Sequence, residues 1–314
     1  MVTVLEASLI KRLARAEGFE LVGVAPATPI QLEAAWYQEW VHRGFAATMS
    51  YLTDHRAKLR NEANLLLSSS KSIICLGKLY NTPGTATGIS RYAWGEDYHR
   101  VMRRALKRLV RRLQEYARFE YRIGVDTLPL LERVYARRAG LGWIGKNTCL
   151  INEKQGSWLF LGEILVSVEI EPDAPPPDRC GTCRRCIDAC PTQALVQIDG
   201  RWELDSRKCI SYLTIEHRGE IDPALRPGMG NHVFGCDICQ DVCPWNRRAP
   251  VTGEPAFQPK NAAVQLAELA ALTEDEFRER FRGTAVLRAK YDGFRRNVEI
   301  AVENARITRA GESA

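Results

Sequence analysis

Cys180-Gly-Thr-Cys183-Arg-Arg-Cys186-Ile-Asp-Ala-Cys190-Pro191 and Cys236-Asp-Ile-Cys239-Gln-Asp-Val-Cys243-Pro244 are the stretches on which the reading of this chain turns. The first has the bacterial ferredoxin spacing CxxCxxCxxxCP, in which three thiolates hold one [4Fe-4S] cube and the fourth reaches a second cube. The second run is CxxCxxxCP, and Val233 stands where its first cysteine belongs. Valine cannot ligate iron, so another thiolate must replace it. Cys209, in Arg-Lys-Cys209-Ile-Ser-Tyr, lies between the runs and is the free candidate nearby. The expected ligand sets are Cys180, Cys183, Cys186 and Cys243 for one cluster, and Cys190, Cys209, Cys236 and Cys239 for the other.

Zinc also takes four-cysteine sites built from CxxC pairs, but it explains neither the third cysteine at the next step of three nor the proline after each terminal cysteine. Disulfides fit less well, because no secretory signal opens the chain. Cys75 and Cys149 fall outside the pattern, in apolar strand-like runs, and read as buried small hydrophobes.

Around this centre the chain has 314 residues, 45% hydrophobic and 26% charged, an ordinary globular composition with room for one large or two medium domains. It has no apolar run long enough for a membrane helix, no signal core and no twin arginine, so a cytoplasmic location is expected. The formal net charge of +6 is compatible with a polyanionic partner without requiring one.

Ahead of the cysteines, apolar spacing predicts a helix over residues 3–17 closed by Gly18, a strand at 21–25, a helix over 30–43 and a strand at 72–76. Strands alternating with helices argue for an α+β fold with an α/β-like N-terminal domain. The polar loop at 81–95 leads into Trp94-Gly-Glu-Asp-Tyr-His99, a ligand-contacting or surface segment. Met102, Leu106, Leu109, Leu113 and Tyr116 then repeat at helical spacing. Arg100, Arg103, Arg104, Lys107, Arg108, Arg111 and Arg112 give that helix a one-signed basic face, suited either to solvent or to a phosphate backbone.

Tyr121 to Val125 reads as a strand with Asp126 at its end, placed either for chemistry or to cap a helix beginning near Pro129. The glycine-rich turn from Ala139 to Asn147 lets backbone approach a bulky ligand but has no phosphate-loop spacing. Residues 148–151 and 157–168 read as further strands. The expected divisions are a catalytic-looking domain at 1–170, a Pro-rich linker at 171–178, a ferredoxin-like domain with two [4Fe-4S] clusters at 179–250, and a C-terminal helical segment at 251–314.

These motifs, taken in order, resemble the epoxyqueuosine reductases, corrinoid iron-sulfur enzymes. The resemblance runs nearly end to end. It rests on Trp94 to His99, Val125-Asp-Thr127 with Leu131-Glu-Arg133, Arg138 to Asn147, Gly156-Ser157, both cysteine runs, Cys209 to Glu216, Leu225 to Asn231 and Pro244-Trp-Asn-Arg247. The resemblance implies reduction of epoxyqueuosine to queuosine at the wobble position of the tRNA anticodon, the last step of queuosine biosynthesis. It implies cobalamin between the N-terminal domain and the clusters, and an external low-potential electron donor. It also implies a monomer, with tRNA as partner and no membrane.

The family's proton-donating aspartate carries over to Asp126, which is then expected to have a raised pKa under the corrin. Arg60, Ser90, Asp126, Lys146, Asn147 and Ser157 are the residues expected to contact cobalamin. No DxHxxG signature is present, so no histidine from such a motif is expected on cobalt. Many relatives carry further C-terminal helical repeats that help grip tRNA, and the basic helix is expected to bear part of that binding here. Two rivals share features: a corrinoid reductive dehalogenase, commonly exported through a twin-arginine signal, and a ferredoxin-type electron carrier, which would not need so long a stretch before the clusters.

Overall fold

The computed structural model describes residues 5–84, 88–260 and 265–312. The first residues of the predicted N-terminal helix, the tip of the 81–95 loop, and residues 261–264 and 313–314 of the predicted C-terminal helical segment lie outside the described residues. The strands are β1 (Leu21–Pro26), β2 (Ser72–Leu79), β3 (Tyr121–Gly124), β4 (Trp143–Ile144), β5 (Leu150–Ile151), β6 (Leu159–Val166), β7 (Leu195–Ile198) and β8 (Arg201–Leu204). The N-terminal helices are α1 (Ala7–Ala16), α2 (Gln31–His42), α3 (Arg56–Leu59), α4 (Tyr98–Gln114) and α5 (Glu132–Arg138). The cluster region carries α6 (Arg185–Asp188), α7 (Ile210–Ile215) and α8 (Ile238–Asp241), followed by α9 (Leu266–Ala271), α10 (Glu274–Arg280) and α11 (Lys290–Glu312). No described helix is long and apolar enough to cross a membrane.

The sheet has the order β1-β2-β6-β3, and every pairing in it is antiparallel. This differs from the α/β-like expectation, whose strand-end ligand rule belongs to parallel sheets. Alternation still governs the core. Ile74, Leu76, Ile164 and Val166 point to one face and meet Ile10 and Leu13 of α1 with Met102, Leu106, Leu109 and Leu113 of α4. Ile73, Cys75 and Leu165 point to the other, against Leu66 and against Tyr135 and Ala136 of α5. Each such fully buried aliphatic side chain contributes about 1.5–3 kcal/mol. Cys75 is fully buried, as expected of a small hydrophobe.

Asp126 does not cap α5: Leu131 holds the N-cap position, and Asp126 has φ +56, in the left-handed region. The segment from Glu171 to Asp178 has no regular structure, but it is tied down. Asp173 exchanges backbone hydrogen bonds with the N-terminal layer, its N–H donating to Val24 O at 2.9 Å while its Oδ2 accepts from Val24 N at 3.0 Å. The C-terminal helices close over the 88–95 segment, where Ile89, Ala93 and Trp94 share a core with Phe277, Phe281 and Phe294.

Gly23 of β1 packs directly under the end of α5, where a Cβ would land on the carbonyl oxygen of Ala139. Gly23→Ala is therefore expected to destabilise the fold by about 1–3 kcal/mol, read as a lower midpoint in urea unfolding. Gly253→Ala, where a Cβ meets open space, is expected to leave that midpoint unchanged.

Candidate functional site

The cysteine runs fold into two short helices, α6 and α8, each starting inside its own CxxC spacing, with the β7–β8 hairpin between the runs. Cys180, Cys183, Cys186 and Cys243 line one cavity of about 250 Å³, shared with Lys146, Asn147, Trp245 and the exposed Arg185. The thiol of Cys190 lies near enough to bear on the ionisation of Cys209 and Cys236, and Cys209 and Cys236 likewise bear on Cys239. Among the described residues, no group of three or more His, Cys, Asp or Glu is arranged around a single ion; the thiols of the first set instead surround a space, as a cube requires. Val233 is fully buried in the apolar core with Phe234 and Phe294, so the position without a thiol is occupied by packing. The donor set thus fits two [4Fe-4S] clusters, both held by thiolates.

Backbone N–H groups supply the second layer. Ala194 N donates to Cys190 Sγ at 3.3 Å, and backbone N–H groups of Ser211 and Tyr212 point at Cys209. Such bonds to cluster sulfurs raise the reduction potential. Cys149 differs from the reading as a mere small hydrophobe, because its thiol meets that of Cys239.

Most of the residues expected at cobalamin join the N-terminal layer to the cluster loops. Ser90, 4% exposed, donates from Oγ to Asp237 Oδ1, and Arg91 N donates to Asp237 Oδ2 at 2.7 Å. Lys146 Nζ donates to Gly181 O at 2.7 Å and Cys183 O at 2.9 Å. Asn147 Nδ2 donates to Cys239 O at 3.3 Å. Ser157 Oγ donates to Gln240 Oε1 at 2.8 Å, and its N–H donates to Asn246 Oδ1 at 2.7 Å. Arg60 is buried elsewhere, donating to Arg56 O at 3.0 Å under the ring of Tyr37. The glycine-rich turn makes these reaches possible: a Cβ on Gly142 would strike Ile151 O, so β4 and β5 come close enough to present Lys146 and Asn147.

Asp126 stands apart from that group. Its side chain is 60% exposed. His99, in the first turn of α4, faces it with Nε2 at 3.2 Å from Asp126 Oδ2, while His99 Nδ1 lies 2.7 Å from Asp97 Oδ1. With a carboxylate oxygen at each ring nitrogen, both nitrogens must donate, which makes His99 an imidazolium. Burial alone would lower His99, but hydrogen bonds and charge from Asp126 and Asp97 lift it to about 9. Burial would raise Asp126, yet the His99 hydrogen bond and the charges of His99 and Arg288 hold it below the usual carboxylate range. Where a raised pKa was expected under the corrin, the protein's own groups hold Asp126 low, and at neutral pH the proton of the pair resides on His99.

Sequence reading quoted His99 within a motif but did not name it as a site residue; its pairing with Asp126 crosses from α4 to the end of β3 and has no local signal. Arg288 and Tyr51 were missed as well. Arg288 lies 5.6 Å from the Tyr51 ring and pairs with Glu216 at 3.0 Å, and both Arg288 and Tyr51 feel the charge of Asp126. The basic face of α4 is partly neutralised: Arg108 and Arg112 pair with Glu17, and Arg104 with Glu96. Arg103 donates to Thr127 Oγ1 at 2.6 Å. Arg100, Lys107 and Arg111 make no ion pair among the described residues.

Comparison with known proteins places these residues in context. A family model described as 4Fe-4S double cluster binding domain matches residues 179–246, and one described as epoxyqueuosine reductase QueG, DUF1730 matches residues 60–127. The epoxyqueuosine reductase of Xanthomonas campestris pv. campestris is 41% identical over 315 residues, covering 95% of this chain and 87% of that protein. A crystal structure of epoxyqueuosine reductase with a tRNA-Tyr epoxyqueuosine-modified stem loop is similar at TM-score 0.86 and 31% identity, covering 95% of this chain and 80% of that one. A Bacillus subtilis epoxyqueuosine reductase, captured with its catalytic aspartate loop swung out of the active site, is similar at TM-score 0.85 and 30% identity, covering 95% of this chain and 81% of that one.

Cys209→Ser is expected to lower the bound iron and sulfide of reconstituted protein by about half, since one of two cubes loses a ligand. Cys149→Ser is expected to leave both counts unchanged. Equal counts in Cys209→Ser and wild type would overturn the ligand sets.

Proposed function

The chain belongs to the epoxyqueuosine reductase family and is an oxidoreductase that reduces epoxyqueuosine in tRNA, and we propose that His99 and Asp126 hand over the proton that the departing epoxide oxygen takes. The reaction breaks both carbon–oxygen bonds of the epoxide, forms a carbon–carbon double bond and releases the oxygen as water. It consumes two electrons and two protons. The observation that carries the proposed proton route is the His99 imidazolium 3.2 Å from an Asp126 carboxylate that opens outward. The proton that Asp126 passes to the departing oxygen comes to it from His99 Nε2, while the other nitrogen of His99 stays anchored on Asp97.

Two [4Fe-4S] clusters, held by the ligand sets named above, deliver single electrons from an external low-potential donor. Asp237 follows the cluster ligand Cys236 in sequence, and its charge reaches Tyr92, which also feels Asp126. Lys146, Arg179 and Arg185 rim the cavity of Cys180, Cys183, Cys186 and Cys243.

Cobalamin is the group that the family adds. The open face carrying Asp126, Tyr51 and Arg288 suits it, because the exposed carboxylate is a surface that a bound cofactor and substrate would cover. When bound, cobalamin supplies a cobalt centre that collects electrons and meets the epoxide as a strong nucleophile or reductant. His99 has both nitrogens committed to carboxylates, and Asp126 would face the bound group. Ser90, Lys146, Asn147 and Ser157 act toward it by fixing the cluster loops, and Arg60 by supporting the Tyr37 wall.

Binding of the tRNA anticodon arm would use charges that make no ion pair among the described residues. Arg100, Lys107 and Arg111 of α4 suit that role. The enzyme is expected to work in the cytoplasm as a monomer.

Anaerobic reconstitution with iron, sulfide and cobalamin, followed by a strong reductant and tRNA bearing epoxyqueuosine, is expected to yield queuosine by nucleoside mass spectrometry. Asp126→Asn is expected to lower kcat about 10²–10⁴-fold; an undiminished rate would sink the donor role. Because His99 keeps its proton up to about 9, wild-type activity is expected to hold through neutral pH and fall as pH rises through that value. In His99→Gln that alkaline limb should disappear.

A further inference from the structure

Glu163 sits in the middle of β6, fully buried, across from Cys75 of β2 and Gly124 of β3. Neither of its oxygens receives a hydrogen bond from a donor group among the described residues. Room has been left for it: a Cβ on Gly124 would stand 3.3 Å from Glu163 Oε2 and closer still to Leu128. The group that meets it is the carboxyl of Glu132, at the first turn of α5. Glu132 also reaches forward, its Oε1 accepting the backbone N–H of Asp126 at 2.6 Å.

Ionised carboxylates are acceptors only, so two of them in contact can hydrogen-bond only when one carries a proton. Two like charges at such spacing, away from water, do not both ionise. The other groups around the pair do not supply a compensating cation. Cys75 faces it from β2, Tyr98 from α4 and Asp126 from the loop after β3. Arg133 is the cation within reach on α5 itself, and its exposed guanidinium is turned to Thr148 O at 2.8 Å. His99 and Arg288 direct their charge to Asp126. Burial and the neighbouring negative charges accordingly push Glu132 up to about 7 and Glu163 well above the usual carboxyl range.

We propose that Glu163 and Glu132 share one proton at neutral pH and that this pair positions the proton-donating loop. Protonated Glu163 donates to Glu132, and Glu132 is left able to accept the Asp126 N–H and hold Asp126 at φ +56. A residue other than glycine in that conformation needs such an external hold. Glu163 is a positioning residue: it touches neither substrate nor cofactor and acts through Glu132 on the backbone of Asp126. The loop-positioning part of this inference rests on the reading of Asp126 as the donor; the shared proton does not.

The test has two arms. Infrared difference spectra between cluster-loaded wild type and Glu163→Gln, recorded anaerobically at neutral pH in H2O and D2O with isotope-labelled glutamate, are expected to show a protonated-carboxyl stretch in wild type. It should shift with both isotopes and be missing from Glu163→Gln. Its absence from wild type, or its persistence in Glu163→Gln, overturns the shared proton. In the second arm, Glu163→Leu removes the donor to Glu132 and is expected to lower kcat up to about 10²-fold through a displaced Asp126, with KM for the tRNA unchanged. Glu163→Gln, whose amide still donates to Glu132, is expected to restore most of the rate. Wild-type kcat in Glu163→Leu, or no rescue by Glu163→Gln, overturns the positioning role. Should Glu163→Leu fail to fold, loss of turnover in Glu163→Gln does so in its place. The spectral arm needs no turnover, so a failure of the Asp126 reading is distinguishable from a failure of the carboxyl pair.

Discussion

The cluster loops are fastened to the N-terminal layer by hydrogen bonds from buried side chains, and the reaction face exists only because of that fastening. Ser90 holds Asp237, Asn147 and Lys146 hold the carbonyls of Cys239 and Cys183, and Ser157 holds Gln240 and Asn246. The bonds that involve Asp237 or Lys146 are worth about 1.5–3 kcal/mol and the neutral ones about 0.5–1.5 kcal/mol, and leaving one buried group unpaired costs about 1–3 kcal/mol. Their directional character matters more than their sum. A sliding apolar contact would let the cysteine loops shift relative to Asp126, whereas a set of bonds to fixed carbonyls does not. Electron delivery and proton delivery are thereby given one frame of reference.

The same frame explains why the site is polar on one side and packed on the other. The sheet is covered on both faces, by α1 and α4 and by α5, so the strands themselves offer little room for a ligand. Chemistry is displaced to the ends of elements: the first turn of α4 with His99, the loop after β3 with Asp126, and the segment with Arg288 before α11. Each of these places carries backbone groups or charges that the regular elements cannot satisfy, and the paired charges of His99 with Asp126 and Arg288 with Glu216 settle them there.

What the sequence made legible divides along the range of the interaction. The double-cluster segment was readable because a cube imposes short, fixed spacings, and Val233 was read as a gap because valine offers no ligand. The helical stripe of α4 and the strands of the sheet were readable from period alone. Strand direction was not, since an apolar run reads the same in a parallel or an antiparallel sheet; the α/β-like reading of the N-terminal domain failed on that point. Asp126 was named through its motif, but the partner that bears on its ionisation, His99, lies on another element. Ser90, Asn147 and Ser157 were named for a cofactor, and the bonds they make to the cluster loops have no local signature. Long-range pairings of this sort leave no trace in spacing.

The Pro-rich segment after β6 has a further effect, visible once β1 is viewed as the outer strand of its sheet. An outer strand exposes a row of unpaired amides and carbonyls, a template on which another chain can add. Here Asp173 occupies Val24 on that row through its own N–H and its carboxylate, with Lys11 drawn onto the same carboxylate. Pro175, Pro176 and Pro177 follow, and without N–H groups they cannot extend the pairing to a newcomer. At the opposite margin β3 is only four residues long, with Tyr121 and Arg122 exposed. The connection between the two halves of the molecule thus doubles as a guard against strand addition, protecting a protein whose core sheet would otherwise be open to self-association.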